Sequence, residues 1–390
     1  MNGYTHWIEI NLDALIHNLK KVREAIPEPV KLLAVVKADA YGLGAGPVSR
    51  LWEEQGVDML GVTHVEEGVA LRRGGIRLPI LLFAPLLPQE AQPVVQYGLT
   101  PTVASQAAVA ALSQEVRGRK VPVHLKVETG MGRTGLKPEE VLPFVRYIKD
   151  NFPHIYIEGI FTHFARAAQG DPYTRQQLHR FRQVIGVLEE AGTEIPLKHA
   201  ANSVAALDLP ETHFDLVRVG TVLYGQYPPA LKNRIPVEDP WRPKGRILYI
   251  QELDKGAGGG YGPDYRTGKR TRIGVIPFGY ADGLGMSPVA RPKNPVDLLK
   301  SLVKTLLAYW GKGPQVLQVR WGNHRLPLVG RLGMQLSMIE IGELPIKEND
   351  PVEVPLGRLA ANPALPRVYL REGQVVAERS PIERKGLVES

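Results

Sequence analysis

Lys37 is the residue in this sequence that is best placed for covalent chemistry. A short apolar run, Leu32–Val36, leads directly to it, and Gly42 and Gly44 break the pattern soon afterwards, as where a buried parallel strand ends in a loop. At the carboxyl end of a barrel strand a lysine faces a pocket, where desolvation lowers its pKa and makes its amine nucleophilic. The pattern therefore predicts Schiff-base chemistry at Lys37, although a surface lysine after an edge strand fits this window equally well.

A second strand end combines two cations with a glycine-rich loop. The apolar run Val121–Val127 contains Lys126 and is followed by the residues GMGRTG at positions 130–135. Glycines let the backbone approach a ligand closely, and Arg133 offers the planar guanidinium that binds a carboxylate through two hydrogen bonds. This segment predicts a carboxylate site, and a turn with a salt-bridged arginine is the alternative.

Two further strand ends carry polar residues of other types. His163 follows the run Ile155–Phe161 and is flanked by aromatic residues, a setting in which histidine more often packs or stacks than acts as a base. His199 ends a short strand and precedes Asn202, Ser203 and an alanine-rich helix. Backbone amides at such a helix start, with the Ser203 hydroxyl, would bind an anion, whereas a plain capped helix is an equally good interpretation.

The last strand end of the series repeats the combination of an arginine and a glycine turn. Arg218 lies in the run Leu216–Leu223, and Gly220 and Thr221 follow it two and three positions later. Loops after the last strands of a parallel barrel often bind phosphate. We therefore expect the amides of Gly220 and Thr221 to lie near Ser203 at one anion site.

These residues need a scaffold that brings strand ends together, and the first part of the chain has the pattern of one. Apolar runs alternate with helical patterns, which is typical of repeated βα units. Eight repeats favour a closed (β/α)8 barrel of the TIM type over an open doubly wound sheet, and we place this α/β domain at residues 11–228. The expected strands are Leu32–Val36, Met59–Val62, Pro79–Phe83, Thr100–Val103, Val121–Val127, Ile155–Phe161, Leu197–His199 and Leu216–Leu223.

The pattern changes after Gln226. Five prolines, the last of them Pro243, mark a linker, and beyond it apolar runs follow one another without long helical patterns. We expect a mainly β C-terminal domain formed by residues 1–10 and 240–390, because Trp7–Ile10 also alternates like a strand. Its expected strands are Arg246–Leu253, Thr271–Phe278, Gln315–Arg320, Leu328–Val329, Ser337–Ile341, Pro351–Val354 and Arg367–Leu370.

The composition excludes several classes of protein. With 390 residues, 44% of them hydrophobic, the chain is long enough for two domains with separate cores. It has no cysteine, which excludes disulfides, cysteine nucleophiles and thiolate metal sites, and we expect no metal. The net charge of +8 is spread along the chain, so we expect no nucleic-acid partner. Because no stretch resembles a signal peptide or a membrane span, we expect a cytoplasmic protein without membrane contact.

The wider sequence around Lys37 identifies a family. Residues 36–44 read VKADAYGLG and resemble the pyridoxal-phosphate lysine signature of the alanine racemase family. The segments around Arg133, His163, Ser203 and Arg218 resemble further motifs of that family in the same order. The resemblance implies a fold type III enzyme with pyridoxal 5'-phosphate attached to Lys37. It also implies cofactor contacts by Tyr41, His163, Asn202, Ser203, Arg218, Gly220 and Thr221.

The same resemblance assigns roles to three cations. Arg133 would help to hold the substrate carboxylate, and Lys126 is a position that is carbamylated in some members, which would make it an anion facing Arg133. Arg218 would hydrogen-bond the pyridine nitrogen. Because an arginine stays charged, it leaves that nitrogen unprotonated, and the weaker electron withdrawal by the ring suits a racemase.

The second domain carries the other catalytic residue that the resemblance implies. Tyr261 lies in the glycine-rich stretch 255–262, which by itself predicts a hairpin tip, and residues 278–283 read FGYADG at the family's spacing. Racemisation needs proton access to both faces of a planar carbanion, so Lys37 would serve one face and Tyr261 the other. In the family this tyrosine comes from the partner subunit, which implies a homodimer with composite active sites.

Three features depart from the family pattern. The segment GRLGM at 330–334 implies that the Met334 amide contacts the substrate carboxylate, but Gln335 replaces the usual Asp, and Pro363 stands where some members carry a tyrosine that limits substrate size. These two changes affect substrate specificity. An amphipathic helix is expected within an insertion at about residues 286–314, either as a packed structural element or as a lid or partner surface.

The sequence therefore predicts an amino-acid racemase of this family. Its predicted reaction is the interconversion of L- and D-alanine, which supplies D-alanine for cell-wall peptidoglycan; a serine or broad-specificity racemase on the same scaffold is the alternative. A barrel that only bound the cofactor would need no β domain and no opposing tyrosine. A decarboxylase on the same plan would bring an acidic residue to the pyridine nitrogen and a catalytic cysteine, and this chain has Arg218 and no cysteine.

Overall fold

The chain divides into two compact units. A computed structural model describes residues 3–116, 118–168, 170–232, 234–262, 265–286, 292, 294–309 and 317–379. Residues 12–240 form one unit, and residues 1–11 with 241–390 form the other. The predicted fold class, a (β/α)8 barrel followed by a mainly β unit, is confirmed.

Eight parallel strands build the barrel unit, and each overlaps one of the eight predicted runs. Numbered after β1 (His6–Asn11) of the other unit, they are β2 (Lys31–Val35), β3 (Met59–Val62), β4 (Ile80–Pro85), β5 (Thr100–Val103), β6 (Val121–Lys126), β7 (Ile155–Phe161), β8 (Leu197–His199) and β9 (Leu216–Val219). Neighbouring strands pair in chain order, and β9 pairs with β2. Hydrogen bonds of 3.0 Å from Asp215 N to Lys198 O and from Arg218 N to Ala201 O connect β9 to β8 and its loop. The strands read as continuous apolar runs because both faces of the sheet are covered.

Helices follow the strands and begin at recognisable caps. The Ser105 hydroxyl accepts a hydrogen bond from Ala108 N, and Asn202 Oδ1 accepts hydrogen bonds from Val204 N and Ala205 N. The helices of this unit are Leu12–Glu24, Ala45–Glu54, Val65–Arg73, Ala91–Gln96, Gln106–Glu115, Pro138–Asn151, Pro172–Glu190 and Ser203–Asp208, with 3₁₀ turns at Pro88–Glu90 and Pro210–Thr212.

The chain makes a left-handed turn directly after Lys37. Residues Ala38, Asp39, Ala40 and Tyr41 have φ values between 51° and 56°, a region that costs an L-residue about 1–2 kcal/mol. Glu67 stabilises the turn, because its Oε1 accepts a hydrogen bond of 2.7 Å from Ala38 N. Its Oε2 accepts one of 2.8 Å from Thr63 N, just after β3. Glu67 therefore joins two neighbouring strand ends. The sequence pattern predicts a loop here but not its handedness.

The second unit contains one ten-stranded sheet. Its further strands are β10 (Trp241–Arg246), β11 (Tyr249–Leu253), β12 (Thr271–Ile276), β13 (Gln318–Trp321), β14 (His324–Val329), β15 (Ser337–Glu340), β16 (Pro351–Glu353), β17 (Arg367–Arg371) and β18 (Gln374–Arg379), with a 3₁₀ turn at Tyr280–Asp282. The order is β11, β12, β15, β14, β13, β16, β10, β1, β17, β18. The N-terminal strand β1 pairs antiparallel with β10 and parallel with β17, so residues at both ends of the chain build this sheet.

Three strands of this sheet, β10, β11 and β18, differ from the expected ones. Pro243 lies inside β10, opposite Ile8, and not in a linker. Its carbonyl oxygen accepts a hydrogen bond of 2.9 Å from Val354 N, so at this position the ladder lacks only the donor that proline does not have. The expected strand Arg246–Leu253 is interrupted, since β11 begins only at Tyr249. The edge strand β18 was not predicted, because its side chains are mostly exposed and it lacks a buried face.

The predicted amphipathic helix forms at Pro295–Tyr309. Asn294 caps it, since its Oδ1 accepts a hydrogen bond of 2.8 Å from Asp297 N. Six of its apolar side chains are 46–62% exposed, so the described part of the chain does not cover that face: Val296, Leu298, Leu299, Leu302, Val303 and Leu306. Residues 287–291, 293 and 310–314 of the predicted insertion lie outside the described residues. None of the described helices is long and apolar enough to cross a membrane.

The left-handed turn gives a stability prediction. Ala38 is exposed and has a φ of 51°, so Ala38→Gly should raise the free energy of unfolding by up to about 1 kcal/mol, because glycine adopts this region without a Cβ clash. The matched control is Ala70→Gly, at an exposed position within the right-handed helix Val65–Arg73, which should lower it by about 1 kcal/mol. Urea unfolding measures both, and a destabilised Ala38→Gly would contradict the assigned backbone.

Candidate active site

A cavity of about 560 Å³ lies at the carboxyl ends of the barrel strands. Its lining comes from the ends of β2, β3, β4, β6, β7, β8 and β9 and from the segments that follow them. Parallel strands place their carboxyl ends at one face of a barrel, which explains why distant sequence segments meet here. All ten site residues that the sequence predicted within the barrel line this cavity: Lys37, Tyr41, Lys126, Arg133, His163, Asn202, Ser203, Arg218, Gly220 and Thr221.

Lys37 reaches the cavity from the end of β2. Burial lowers the pKa of its amine, and the nearby Arg133 cation lowers it further, while the Glu67 carboxylate acts in the opposite direction. A lowered pKa increases the fraction of neutral amine, which is the nucleophilic and proton-accepting form. Lys37 is therefore suited to attack a carbonyl or to accept a proton.

The left-handed turn brings Tyr41 against Gly220. The Tyr41 ring packs on Tyr224, with centroids 4.9 Å apart, and burial raises the pKa of its phenol to about 12, so the hydroxyl keeps its proton. A Cβ at position 220 would lie 2.5 Å from the Tyr41 hydroxyl oxygen. Glycine is required there because any side chain would displace Tyr41 or close this side of the cavity.

Ser203 and Gly220 lie together where the sequence predicts an anion site, with one difference from expectation. The Ser203 Oγ accepts a hydrogen bond of 2.9 Å from Gly220 N, so the hydroxyl proton remains available to a ligand. The amides of Val204 and Ala205 donate to the Asn202 side chain at 3.1 Å and 3.2 Å. Asn202 therefore caps the helix, and the anion site at Ser203 stays a prediction that involves different atoms of the same turn.

Arg218 is buried at the end of β9, with 4% of its surface exposed. Its guanidinium donates to Thr162 O at 2.8 Å, to Ala200 O at 3.0 Å and to His199 Nδ1 at 2.9 Å. It also lies over the Phe161 ring, 5.3 Å from the centroid. Burial lowers the pKa of Arg218 to about 9, so the group still carries its charge at neutral pH. Its orientation is fixed by three acceptors, none of them a carboxylate.

His163 is a neutral ring in this site. Burial, followed by the charges of Arg218 and Arg133, lowers the pKa of its imidazole to about 3. The backbone carbonyl of His163 accepts a hydrogen bond of 3.2 Å from Gln177, which helps to fix the residue. A neutral, positioned imidazole is suited to stacking on a flat ligand and poorly suited to binding a phosphate.

Lys126 and Arg133 are brought together by the glycine-rich loop. The Glu128 carboxylate organises this loop by accepting hydrogen bonds from Gly130 N at 2.5 Å and from Arg133 N at 3.1 Å. Lys126 is 3% exposed, and its Nζ donates to Thr134 Oγ1 at 2.5 Å. Burial and the Arg133 charge lower the pKa of Lys126 to about 8. This lysine is therefore partly neutral at mildly alkaline pH.

Tyr261 and Met334 belong to the second unit. Tyr261 stands between two glycines of positive φ, Gly260 and Gly262, and is 72% exposed. Met334 is 60% exposed, and its carbonyl accepts a hydrogen bond of 3.0 Å from Ala281 N. Both side chains are accessible from outside the sheet of their own unit.

Some residues that line the cavity were not predicted from the sequence. They include residues at the ends of β3 and β4 and two near the predicted cations: Thr63, Phe83, Ala84, Pro85, Thr134 and Phe161. Their positions at or after the ends of predicted strands are the signal that could have identified them. In the sequence, however, apolar residues at such positions cannot be distinguished from core residues.

Comparisons with known proteins identify relatives along most of the chain. Residues 10–228 match the family model described as alanine racemase, N-terminal domain, and residues 241–364 match that of the alanine racemase C-terminal domain. The alanine racemase of Desulforamulus reducens is 38% identical over 354 residues, which cover 89% of this chain and 88% of the relative. That of Halothermothrix orenii is 36% identical over 343 residues, covering 87% and 84%.

Solved structures give the same result. The alanine racemase of Clostridium difficile 630 is 30% identical and superposes with a TM-score of 0.85, covering 97% of this chain and 99% of that one. The alanine racemase of Bacillus anthracis with bound L-Ala-P is 26% identical, with a TM-score of 0.80 and coverages of 97% and 99%.

The lowered pKa of Lys126 predicts a pH-dependent effect on stability. Its pKa is about 8 in the folded chain against an ordinary value of 10.5. Below pH 8 both states are protonated and the folded state carries the full cost of burying the charge. Between these values the folded state loses its proton first, so the unfolded state binds more protons and wild-type stability rises with pH.

Lys126→Met removes this titration. We compare the free energy of unfolding of Lys126→Met with that of the wild type. The difference in favour of the variant should be greatest near pH 7 and should decrease by up to about 3 kcal/mol by pH 10.5. Urea unfolding of the cofactor-free chain in CO₂-free buffer measures the difference at each pH. A difference that stays constant across this range would contradict the assigned burial of the charge.

Proposed function

We propose, on the premise that this chain belongs to the alanine racemase family and is an amino-acid racemase, that it interconverts L- and D-alanine with pyridoxal 5'-phosphate bound in the barrel cavity. One observation carries the proposal: the Lys37 amine shares a single cavity with Arg218, Ser203 and Gly220. Together these residues offer an amine for an aldehyde, a cation for a ring nitrogen and, in the Ser203 hydroxyl, a donor for a phosphate.

The residues present fit this cofactor. The cavity has the volume of a small-molecule site, and the absence of a Cβ at Gly220 lets the Tyr41 hydroxyl lie beside this residue. The Ser203 hydroxyl proton is available for a phosphate oxygen because the hydroxyl oxygen already accepts a bond from Gly220. The neutral His163 ring can stack on the cofactor. When bound, the cofactor withdraws electrons from the substrate and makes its α-proton acidic.

Lys37 and Tyr261 are the two bases that we assign. The Nζ of Lys37 can accept a proton because burial lowers its pKa, and the same nitrogen can return a proton to the same face of the α-carbon. Tyr261, exposed between two glycines, would hold and return the proton on the opposite face through its hydroxyl oxygen. Two bases on opposite faces are what an inversion at carbon requires.

The substrate carboxylate needs its own partners. We assign the Arg133 guanidinium and the Met334 amide to it. Lys126 is the residue that we propose to be carbamylated: its neutral amine would attack CO₂, form a C–N bond and release a proton, which leaves a carbamate anion. The pKa of about 8 supports this, since it makes neutral amine available near physiological pH. A carbamate would accept hydrogen bonds from Arg133 and so orient it.

A homodimer with composite sites is part of the proposal. In it, Tyr261 and Met334 of one subunit would serve the barrel cavity of the other. We further propose that the enzyme works in the cytoplasm and supplies D-alanine for peptidoglycan, as family membership suggests.

The serine or broad-specificity alternative rests on Gln335 and Pro363. Both residues are exposed in the second unit, and neither offers the side chain that usually stands there. The ratio of initial racemisation rates on L-alanine and L-serine decides between the two interpretations.

Covalent trapping tests the position of the cofactor. Borohydride reduction of the enzyme loaded with pyridoxal 5'-phosphate should attach the phosphopyridoxyl group to the peptide that contains Lys37, as mass spectrometry of a digest would show. Lys37→Ala should give no adduct and lose a factor of about 10²–10⁴ or more in racemisation rate. Lys120→Ala, at an exposed lysine ahead of β6, is the control and should behave as the wild type. An adduct on another lysine would overturn the assignment.

Subunit complementation tests the composite site. Tyr261→Phe and Lys37→Ala should each be nearly inactive alone. After denaturation and refolding of an equal mixture, half of the dimers are mixed and each mixed dimer has one intact site, so activity should recover to about a quarter of the wild-type value. The control variant is Tyr249→Phe, at an exposed tyrosine on β11. Used in place of Tyr261→Phe, it shows whether the loss of a phenol hydroxyl has a general effect on activity. No recovery would mean that both bases come from one chain.

A further inference from the structure

A chain of polar side chains crosses the interior of the barrel, where such folds usually pack aliphatic residues. Arg218 is 2.9 Å from His199 Nδ1, His199 Nε2 is 2.9 Å from His124 Nδ1, and His124 Nε2 is 3.2 Å from Glu158 Oε2. Both imidazoles are fully buried, whereas the Glu158 side chain is 27% exposed. This series of hydrogen bonds therefore leads from the candidate active site to the partly exposed carboxylate of Glu158.

The hydrogen bonds determine which ring nitrogen of His199 and of His124 carries the proton. An arginine only donates, so His199 Nδ1 must accept and its proton must lie on Nε2. His199 Nε2 then donates to His124 Nδ1, which leaves the His124 proton on Nε2, directed at Glu158. Every hydrogen bond consequently points from Arg218 toward Glu158. Burial lowers the pKa of both imidazoles, in agreement with two neutral rings.

The backbone of β7 is shaped to make this contact. The pairing of β6 with β7 shifts by one residue, so that Val123 pairs with Ile157 but His124 pairs with Gly159. Glu158 is the extra residue of this bulge, a feature that redirects side chains. A Cβ at Gly159 would lie 2.4 Å from the His124 ring. The bulge and the glycine together give the imidazole its space and bring Glu158 within hydrogen-bonding distance.

We infer that Glu158 is a positioning residue for Arg218. Its carboxylate fixes the tautomer of His124, which fixes that of His199, so that His199 Nδ1 presents a lone pair to the guanidinium. Without that acceptor the ring of His199 could turn an N–H toward Arg218, and two donors would face each other in a buried site. The consequence for catalysis rests on the proposed function, in which Arg218 faces the cofactor ring nitrogen.

Two substitutions separate the acceptor from the charge. Glu158→Leu has a similar volume, removes the acceptor and excludes a replacing water. Glu158→Gln keeps an acceptor oxygen but removes the charge. Glu194→Leu, at an exposed glutamate in the segment before β8, is the matched control. Thermal unfolding of each full-length variant shows whether the fold is retained.

Nitrogen NMR of histidine-labelled enzyme, with and without pyridoxal 5'-phosphate, is the direct test. In the wild type, Nδ1 should appear unprotonated and Nε2 protonated for both His124 and His199, assigned by replacing each histidine in turn by Asn. Glu158→Leu should shift or broaden both ring signals, while Glu158→Gln and Glu194→Leu should not change the tautomers. A protonated Nδ1 on His199 in the wild type, or unchanged ring signals in a folded Glu158→Leu, would overturn the inference.

Kinetics supply the second readout. We expect Glu158→Leu to lower kcat by about 10-fold or more, as loss of an outer hydrogen-bond partner often does, with less than about a twofold change in KM, because substrate contacts are untouched. The absorbance maximum of the bound cofactor should shift in the same variant. If the wild type shows the predicted tautomers but no racemisation, the proposed function fails and the positioning role of Glu158 stands. If the wild type racemises alanine and Glu158→Leu has the same kcat and the same ring signals, the positioning role of Glu158 is wrong and the proposed function stands.

Discussion

The clustering of four cationic side chains around one cavity, with Lys126 and Arg218 buried, is the constraint on which this site depends. Lys37, Lys126, Arg133 and Arg218 line the same space, and removing a charge from water costs several kcal/mol unless it is compensated. The cost appears as lowered pKa values for both lysines and for Arg218. A ligand that carries a phosphate and a carboxylate would compensate these charges, so binding and the stability of the site are coupled.

The barrel supplies the stability that this arrangement requires. Its strands bury Leu33, Val35, Met59, Leu81 and Leu216 in a common cluster, and each such side chain contributes about 1.5–3 kcal/mol. The free energy gained by this burial offsets the cost of a strained left-handed turn, a β-bulge beside His124 and a buried arginine without a contacting carboxylate. These three features lie at the strand ends and in the barrel interior next to the cavity. Such a location is expected where residues are selected for function and not for packing.

The polar interior also explains how a buried arginine can be held so firmly. Two backbone carbonyls and one imidazole nitrogen accept its protons. Carbonyl oxygens only accept, but an imidazole nitrogen can also donate, so His199 is the one partner whose role had to be fixed from elsewhere. A carboxylate in direct contact would have balanced the charge more strongly, but it would also compete for any acidic proton near a ligand. The two histidines place the negative charge at a distance and keep only its orienting effect.

The sequence by itself determined the barrel strands and the residues at their ends, because buried parallel strands read as continuous apolar runs and polar residues just after them stand out. Nine of the ten barrel site residues were named in that way, with Tyr41 added by the family resemblance, and the cap at Asn202 lies where that residue type predicts a helix start. The family resemblance supplied Tyr261 and Met334, which no local pattern would have separated from a hairpin tip and a turn.

Only the tertiary structure decided the handedness of the turn after Lys37, since alanine, aspartate and tyrosine all prefer the right-handed region and are held in the left-handed one by Glu67. It also decided which amides at Ser203 are already occupied, that Pro243 belongs to a strand, and that Glu158 meets His124 across a bulge. In each case the deciding partner lies far away in the chain or across a sheet, and a contact of that kind leaves no periodicity for the sequence to reveal.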